Sequence, residues 1–299
     1  MGKSKKDKSN SKYSPNKELE IINLIAEGLD TQLTDEEYDV IGEYYVNQAP
    51  RKLYKYRSGL EDRDIQALIS NKMWFSTCKM FNDPFECTPN TNYFQLIDKL
   101  LRENEEVKQG YIGLSKLEQV TLIKKFLEEQ KNTNIMDIEN FKNGIAVSCL
   151  SSRKDSILMW GHYANSHKGI CIEYDILELA EKTRKTYIPV KYSNEMPHMT
   201  GLGEHDVYRY ILELIRTKAK DWEYECEWRC VQDEAACGNN WTNEGALLDV
   251  SPATAIYLGS GANELVEPLK EICSHTLHIP LYQMKVGKEE YKLIPERIL

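Results

Sequence analysis

The chain has 299 residues, 41% hydrophobic and 28% charged, an ordinary globular composition with enough apolar material for a real core. Its formal net charge is −9, yet the first 17 residues hold six lysines and one aspartate, which leaves −14 on the remainder; such a body repels a nucleic-acid backbone unless a basic stripe is hidden in the fold. No apolar run is long enough for a membrane-spanning helix, and the start lacks the apolar stretch of a secretory signal, so a cytoplasmic protein with no membrane partner is expected.

Residues 1–17 read as a disordered basic tail and 18–50 as a helical appendage. An amphipathic helix is predicted over 17–30, with Leu19, Ile22, Ile25 and Ala26 near one face. Thr34, followed by Asp35, Glu36 and Glu37, is a capping pattern that opens a second helix to about residue 47, before Pro50. A single α+β domain is expected over 51–299. It begins with a strand at 52–57, a helix at 62–70 and a strand at 73–76. Two helices, 94–108 and 114–132, form an inserted arm, the second carrying Leu117, Val120, Ile123 and Leu127 in helical period. Then come a buried strand at 144–150, a helix at 156–166 stopped by Gly169, and strands at 170–174 and 188–192. A helix at 206–220 leads into a strand at 223–231, and the chain closes with a strand at 255–258, a helix at 263–274 and a strand at 279–285. Strands and helices mix without strict alternation, which favours α+β over a doubly wound sheet.

Eight cysteines are scattered along the chain with no C-x-x-C pair, which points to buried thiols rather than a disulfide framework or a zinc site. Four segments could carry chemistry. In the first strand, alternation puts Tyr54 and Tyr56 on one face and Lys55 and Arg57 on the other, a cation pair suited to a phosphate-bearing ligand or to a solvated edge. The string Phe81-Asn82-Asp83-Pro84-Phe85-Glu86 is a turn pinned by two aromatics, which explains it as structure and leaves a direct catalytic role for Asp83 or Glu86 as the alternative. Ser148 and Ser151 lie on the buried strand. On the following helix Trp160, Tyr163, Ala164 and His167 share a face, with His162 beside them, a wall fit for a nucleobase or nicotinamide ring. In the last segment, period two sets Glu223, Glu225, Glu227 and Arg229 against Tyr224, Cys226, Trp228 and Cys230. Three carboxylates in a row repel one another unless a cation answers them, and Arg229 answers one.

The strings Tyr54-Lys55-Tyr56-Arg57, Phe81-Asn82-Asp83-Pro84-Phe85-Glu86, Met159-Trp160-Gly161-His162-Tyr163 and Glu225-Cys226-Glu227-Trp228-Arg229 resemble a bacterial domain-of-unknown-function family over 53–281. That family recurs in mobile and phage-defence contexts. A more distant resemblance is to ADP-ribosyltransferases, whose order of motifs is matched by Lys55 or Arg57, then Ser148 and Ser151 before the helix through Tyr163, then Glu225 and Glu227. The resemblance implies a split β-sheet core, NAD as substrate, and a protein or nucleic-acid acceptor, in a toxin or anti-phage effector. It implies Glu227 and Glu225 as catalytic, the first stabilising the oxocarbenium-like ribose and the second holding the acceptor. NAD would be bound by Lys55, Arg57, Ser148, Ser151, Trp160, His162 and Tyr163. Two other readings stay open. One is a non-catalytic sensor with partner or self-association surfaces on segments 18–48 and 94–132, whose Glu225 and Glu227 would be freely solvated. The other is a nuclease holding Mg²⁺ on Glu223, Glu225, Glu227 and Asp83.

Overall fold

A computed structural model of the chain describes residues 34–47, 49–59, 62–88, 97–98, 101–102, 104–132, 142–197 and 204–299. The basic tail and the helix expected over 17–30 lie outside the described residues. The chain runs α1 (Asp35–Asn47), β1 (Lys52–Arg57), α2 (Asp62–Ile69), β2 (Lys72–Thr77), α3 (Glu105–Ile112), α4 (Lys116–Asn132), β3 (Ile145–Ser151), α5 (Ile157–Tyr163), β4 (Ile170–Asp175) and α6 (Ile176–Thr183). It continues through β5 (Tyr187–Pro189), β6 (Lys191–Ser193), α7 (Glu204–Arg216), β7 (Thr217–Ala219), β8 (Glu227–Asp233), α8 (Glu234–Cys237), β9 (Trp241–Thr242) and β10 (Gly245–Asp249). The last elements are β11 (Ala255–Leu258), α9 (Val266–Ile272), β12 (Leu281–Val286) and β13 (Leu293–Arg297). The architecture is α+β. Among the described residues no helix is long and apolar enough to cross a membrane.

An 11-stranded mixed sheet runs β13-β12-β11-β4-β1-β3-β2-β10-β9, with β8 and then β5 branching from β3. β3 is the hub. Along one edge it pairs with β8 from Ile145↔Asp233 to Ser151↔Glu227. Its other edge is shared by two strands, β1 touching only at Tyr54↔Ser151 and β2 only at Ser76↔Val147 and Thr77↔Ala146. Residues 148–150 therefore face a fork where β1 and β2 diverge. A bare carbonyl there would cost as much as a lost hydrogen bond, and Lys55 supplies the donor, its Nζ 2.7 Å from the Cys149 carbonyl and 3.4 Å from Ser148 Oγ.

The alternation expected for β1 holds. Leu53 enters the main core with Phe75, Leu150, Ile172 and Ile256. Tyr54 and Tyr56 enter an aromatic cluster on the opposite face with Met159, Trp160, Cys171 and Tyr257. Tyr56 and Trp160 meet edge to face at 5.3 Å, and the Trp160 indole N–H donates to the Lys154 carbonyl at 2.7 Å. Burying each large side chain of this kind is worth roughly 1.5–3 kcal/mol.

The helix expected over 206–220 ends at Arg216, where β7 begins, and the strand expected over 188–192 divides into β5 and β6, which lie in different sheets. Three further expectations need correction. The helix over 156–166 stops at Tyr163, because Ala164 leaves helical geometry and Asn165, Ser166 and His167 follow with left-handed φ of 46°, 52° and 67°. His167 is thus off the helical face shared by Trp160 and Tyr163. Its loop returns tightly to β1, and a Cβ on Gly169 would lie 2.3 Å from the Arg57 carbonyl oxygen, so only glycine fits. The helix expected over 94–108 is broken at Asn104, whose side chain caps α3 by accepting from the Val107 N–H. The strand expected over 223–231 starts only at Glu227. Lys220–Glu225 is a 3₁₀ turn, and Cys226 takes a left-handed φ of 45° that redirects the chain. On the inserted arm, Leu117 and Val120 are exposed.

Candidate functional site

The fork opens into a cavity of 480 Å³, a size typical of small-molecule sites. Its walls come from β1 (Lys55, Arg57), β2 (Trp74, Ser76), the turn after β2 (Phe81, Glu86), β3 (Ser151), α5 (Tyr163) and the β7–β8 region (Lys218, Glu225, Glu227, Arg229). The chain reversal at Cys226 keeps Glu225 in register with this cleft after period two fails. Ser151 fixes that reversal, donating from Oγ to the Glu225 carbonyl at 2.5 Å and accepting from the Arg153 N–H at 3.0 Å.

At the floor of the cleft lie three carboxylates and two cations, all nearly inaccessible. Lys218 Nζ is 2.6 Å from Glu225 Oε2, 3.1 Å from Glu227 Oε2 and 3.3 Å from Glu86 Oε1. Arg229 donates from Nε to Glu227 Oε1 at 2.8 Å, from Nη1 to the Ile215 carbonyl at 2.5 Å, and from Nη2 to Glu86. The Arg229 guanidinium also stacks 5.2 Å above the Phe81 ring. With every group ionised the cluster carries one net negative charge. It sits where a low dielectric makes charge count most.

The carboxylates are not equivalent. Burial would raise Glu227, but Arg229 and Lys218 together outweigh it and hold this carboxyl well below the usual carboxylate range. Glu225 goes the other way: burial pushes it up, Lys218 opposes, and Glu227 adds to the rise. Glu225 is also the carboxylate tied to the cleft wall, accepting from Tyr163 Oη at 2.6 Å. Burial would lower Lys218, yet Glu227 and Glu86 hold it above its ordinary value. Lys55 has no carboxylate within ion-pair distance among the described residues, and burial, with Arg57 beside it, pushes its ammonium down to about 7. Arg57 is partly answered by Asp64 at 3.9 Å.

Of the residues singled out in the sequence, Lys55, Arg57, Ser151, Tyr163, Glu225 and Glu227 meet in this cleft. Three others do not line it. Trp160 is fully buried in the aromatic cluster. Ser148 is also fully buried, its Oγ 2.9 Å from Met73 Sδ. His162 is exposed, with Nδ1 3.0 Å from Tyr224 Oη. Glu225 and Glu227, at 3% and 5% exposure, are not the solvated strand face that a simple binding surface would present. Among the described residues no group of three or more His, Cys, Asp or Glu side chains is arranged to hold a metal ion. Glu223 points to solvent, and Asp83 uses Oδ1 to accept from the Phe85 N–H at 2.9 Å.

Lys218 went unnoticed in the sequence, and Glu86 was read chiefly as part of a turn. Lys218 was hidden in what read as the end of a helix, although three clustered glutamates with one arginine already called for a further cation. Glu86 was absorbed into the turn signal of Asn82-Asp83-Pro84. Its only mark is a carboxylate set between Phe85 and Cys87.

A family model described as "Protein of unknown function (DUF2971)" matches residues 159–230. The matched stretch holds Tyr163, Lys218, Glu225, Glu227 and Arg229 but not β1 or Glu86, and it is narrower than the 53–281 expected from the motifs. No curated protein and no solved structure gives a significant match.

Proposed function

We propose that this protein is an ADP-ribosyltransferase-like enzyme that takes NAD into the cleft at the fork of β1 and β2 and transfers ADP-ribose to a macromolecule. The observation that carries the reading is the convergence of six residues from four separate chain segments on one cavity, cations toward β1 and a net-negative cluster on its floor. Cleavage of the bond between ribose C1′ and nicotinamide leaves an oxocarbenium-like sugar, which a preorganised negative charge stabilises. Lys55 and Arg57 are suited to the diphosphate. Glu225 takes the charge-stabilising and proton-accepting part, because it is tied to the cleft wall through Tyr163 and its raised affinity for a proton fits a general base. Glu227, saturated by Arg229 and Lys218, becomes a positioning residue that holds both cations in place. The acceptor is a protein or a nucleic acid, and the use is that of a toxin or anti-phage effector.

The test is incubation of the purified protein with labelled NAD and a cell lysate, beside Glu225→Gln. The expected result is nicotinamide release with label on a macromolecule, reduced at least ~10²-fold in the variant. Neither NAD binding nor nicotinamide release from folded protein would leave the non-catalytic sensor in its place.

A further inference from the structure

Two thiols that no step above uses lie beneath the turn that delivers Glu86. Cys78 and Cys87 are buried, at 4% and 1% exposure, and packed with Val147 and Ile215. Their Sγ atoms are 2.9 Å apart, about 0.9 Å longer than a disulfide bond. The chain between them reaches the cleft three times. Phe81 lies under the Arg229 guanidinium, Asn82 donates to Tyr163 Oη at 3.5 Å, and Glu86 bonds Arg229 and Lys218.

We propose that Cys78 and Cys87 form a reversible disulfide that fastens this turn, and Glu86 with it, against the floor of the cleft. The oxidant is a small-molecule disulfide. One cysteine thiolate attacks it, forming a mixed disulfide and releasing one small thiol. The second cysteine thiolate then attacks the protein-bound sulfur and expels the other small thiol. Two cysteine thiols are oxidised, one small disulfide is reduced, and the two protons end on the released thiols. Because the sulfurs already face each other with Glu86 in place, the bond closes without rearranging the cluster. The hydrogen bond from Cys87 and then burial push the Cys78 thiol well above its ordinary range, so exchange proceeds through transient opening of the turn and is slow. The closed ring spans the ten residues 78–87, and oxidation removes freedom from the unfolded chain while leaving the folded one unchanged.

The full chain is equilibrated in graded mixtures of reduced and oxidised glutathione, alkylated under denaturing conditions and digested with trypsin. Cleavage at Lys79 separates the two cysteines, so the bridge appears as two joined peptides that fall apart on reduction. The expected result is this one linkage, the other six cysteines remaining alkylated, with a Tm higher by several degrees in the oxidised protein. Cys87→Ser removes both the linkage and the redox-dependent part of Tm. Full alkylation of Cys78 and Cys87 at every poise overturns the proposal, and so does a bridge from either to the neighbouring Cys149. The peptide map needs neither a variant nor NAD, so it can fail or succeed independently of the transferase reading.

Discussion

Replacing Lys218 by methionine tests whether the floor of the cleft is a balanced charge cluster. The side chain is 4% exposed and its ammonium lies within 3.3 Å of three carboxylates. Methionine fills similar volume, so the packing loss is small and the electrostatic loss dominates. Arg229 alone is left to answer three buried negative charges. Removing one partner from such a group costs about 3–5 kcal/mol, which in a domain of this size lowers Tm by roughly 10 °C. The deficit depends on pH with a definite sign. In the native protein Glu227 binds its proton far more weakly than an unfolded glutamate, so it contributes stability that is present above the unfolded value near ~4.3 and is lost on acidification. In Lys218→Met the carboxyls shift upward instead, and their cost is relieved on acidification. The gap between native and variant therefore closes as pH falls. Urea unfolding followed by fluorescence at about pH 8 and about pH 5.5 measures both terms. A deficit below about 1 kcal/mol at the higher pH, or one that widens on acidification, refutes the reasoning.

The Lys55 ammonium, pushed down to about 7, loses its charge across neutrality, so calorimetric affinity for inorganic pyrophosphate is expected to fall as pH rises from about 6 to about 8. Lys55→Arg should keep that affinity constant over the same range. In the folding equilibrium the sign is opposite: the unfolded chain holds the extra proton between about 7 and 10.5, so stability rises with pH there, and Lys55→Met flattens the rise. Gly169→Ala sets a methyl 2.3 Å from the Arg57 carbonyl oxygen and 2.8 Å from that of Ser58, so chemical denaturation should show a loss of at least ~2 kcal/mol.

The fold was legible where local pattern and tertiary burial agree. β1 and β11 were predicted to the residue, since alternation in the one and an apolar run in the other match how they sit in the sheet. The cations of β1 and the two glutamates were legible as site candidates from charge at positions where a strand face should be plain, and Ser151 and Tyr163 from their place in the order of motifs. Trp160 was misplaced because helical period shows which residues share a face, not whether that face looks into a cleft or into a core. The break at Cys226 was invisible, since a left-handed cysteine leaves no compositional trace of the kind glycine leaves. Lys218 was missed because it sits on β7, where the pattern read as the end of a helix, and the role of Glu86 was obscured because Arg229, its partner, is 143 residues away in the chain.

The fork along β3 has a consequence for the folding hazards of the sheet. Residues 148–150 form an edge in the middle of a sheet, three residues paired with β8 on one side and with no strand on the other. Such a gap is a template on which a stray β-segment, from another chain during synthesis or from a misplaced strand of this one, could add. Natural edges are guarded by lysine for this reason. Lys55 occupies the gap and takes the Cys149 carbonyl that an invading strand would need. The same side chain that equips the cleft for an anion thus also keeps the interrupted sheet from being completed by the wrong partner.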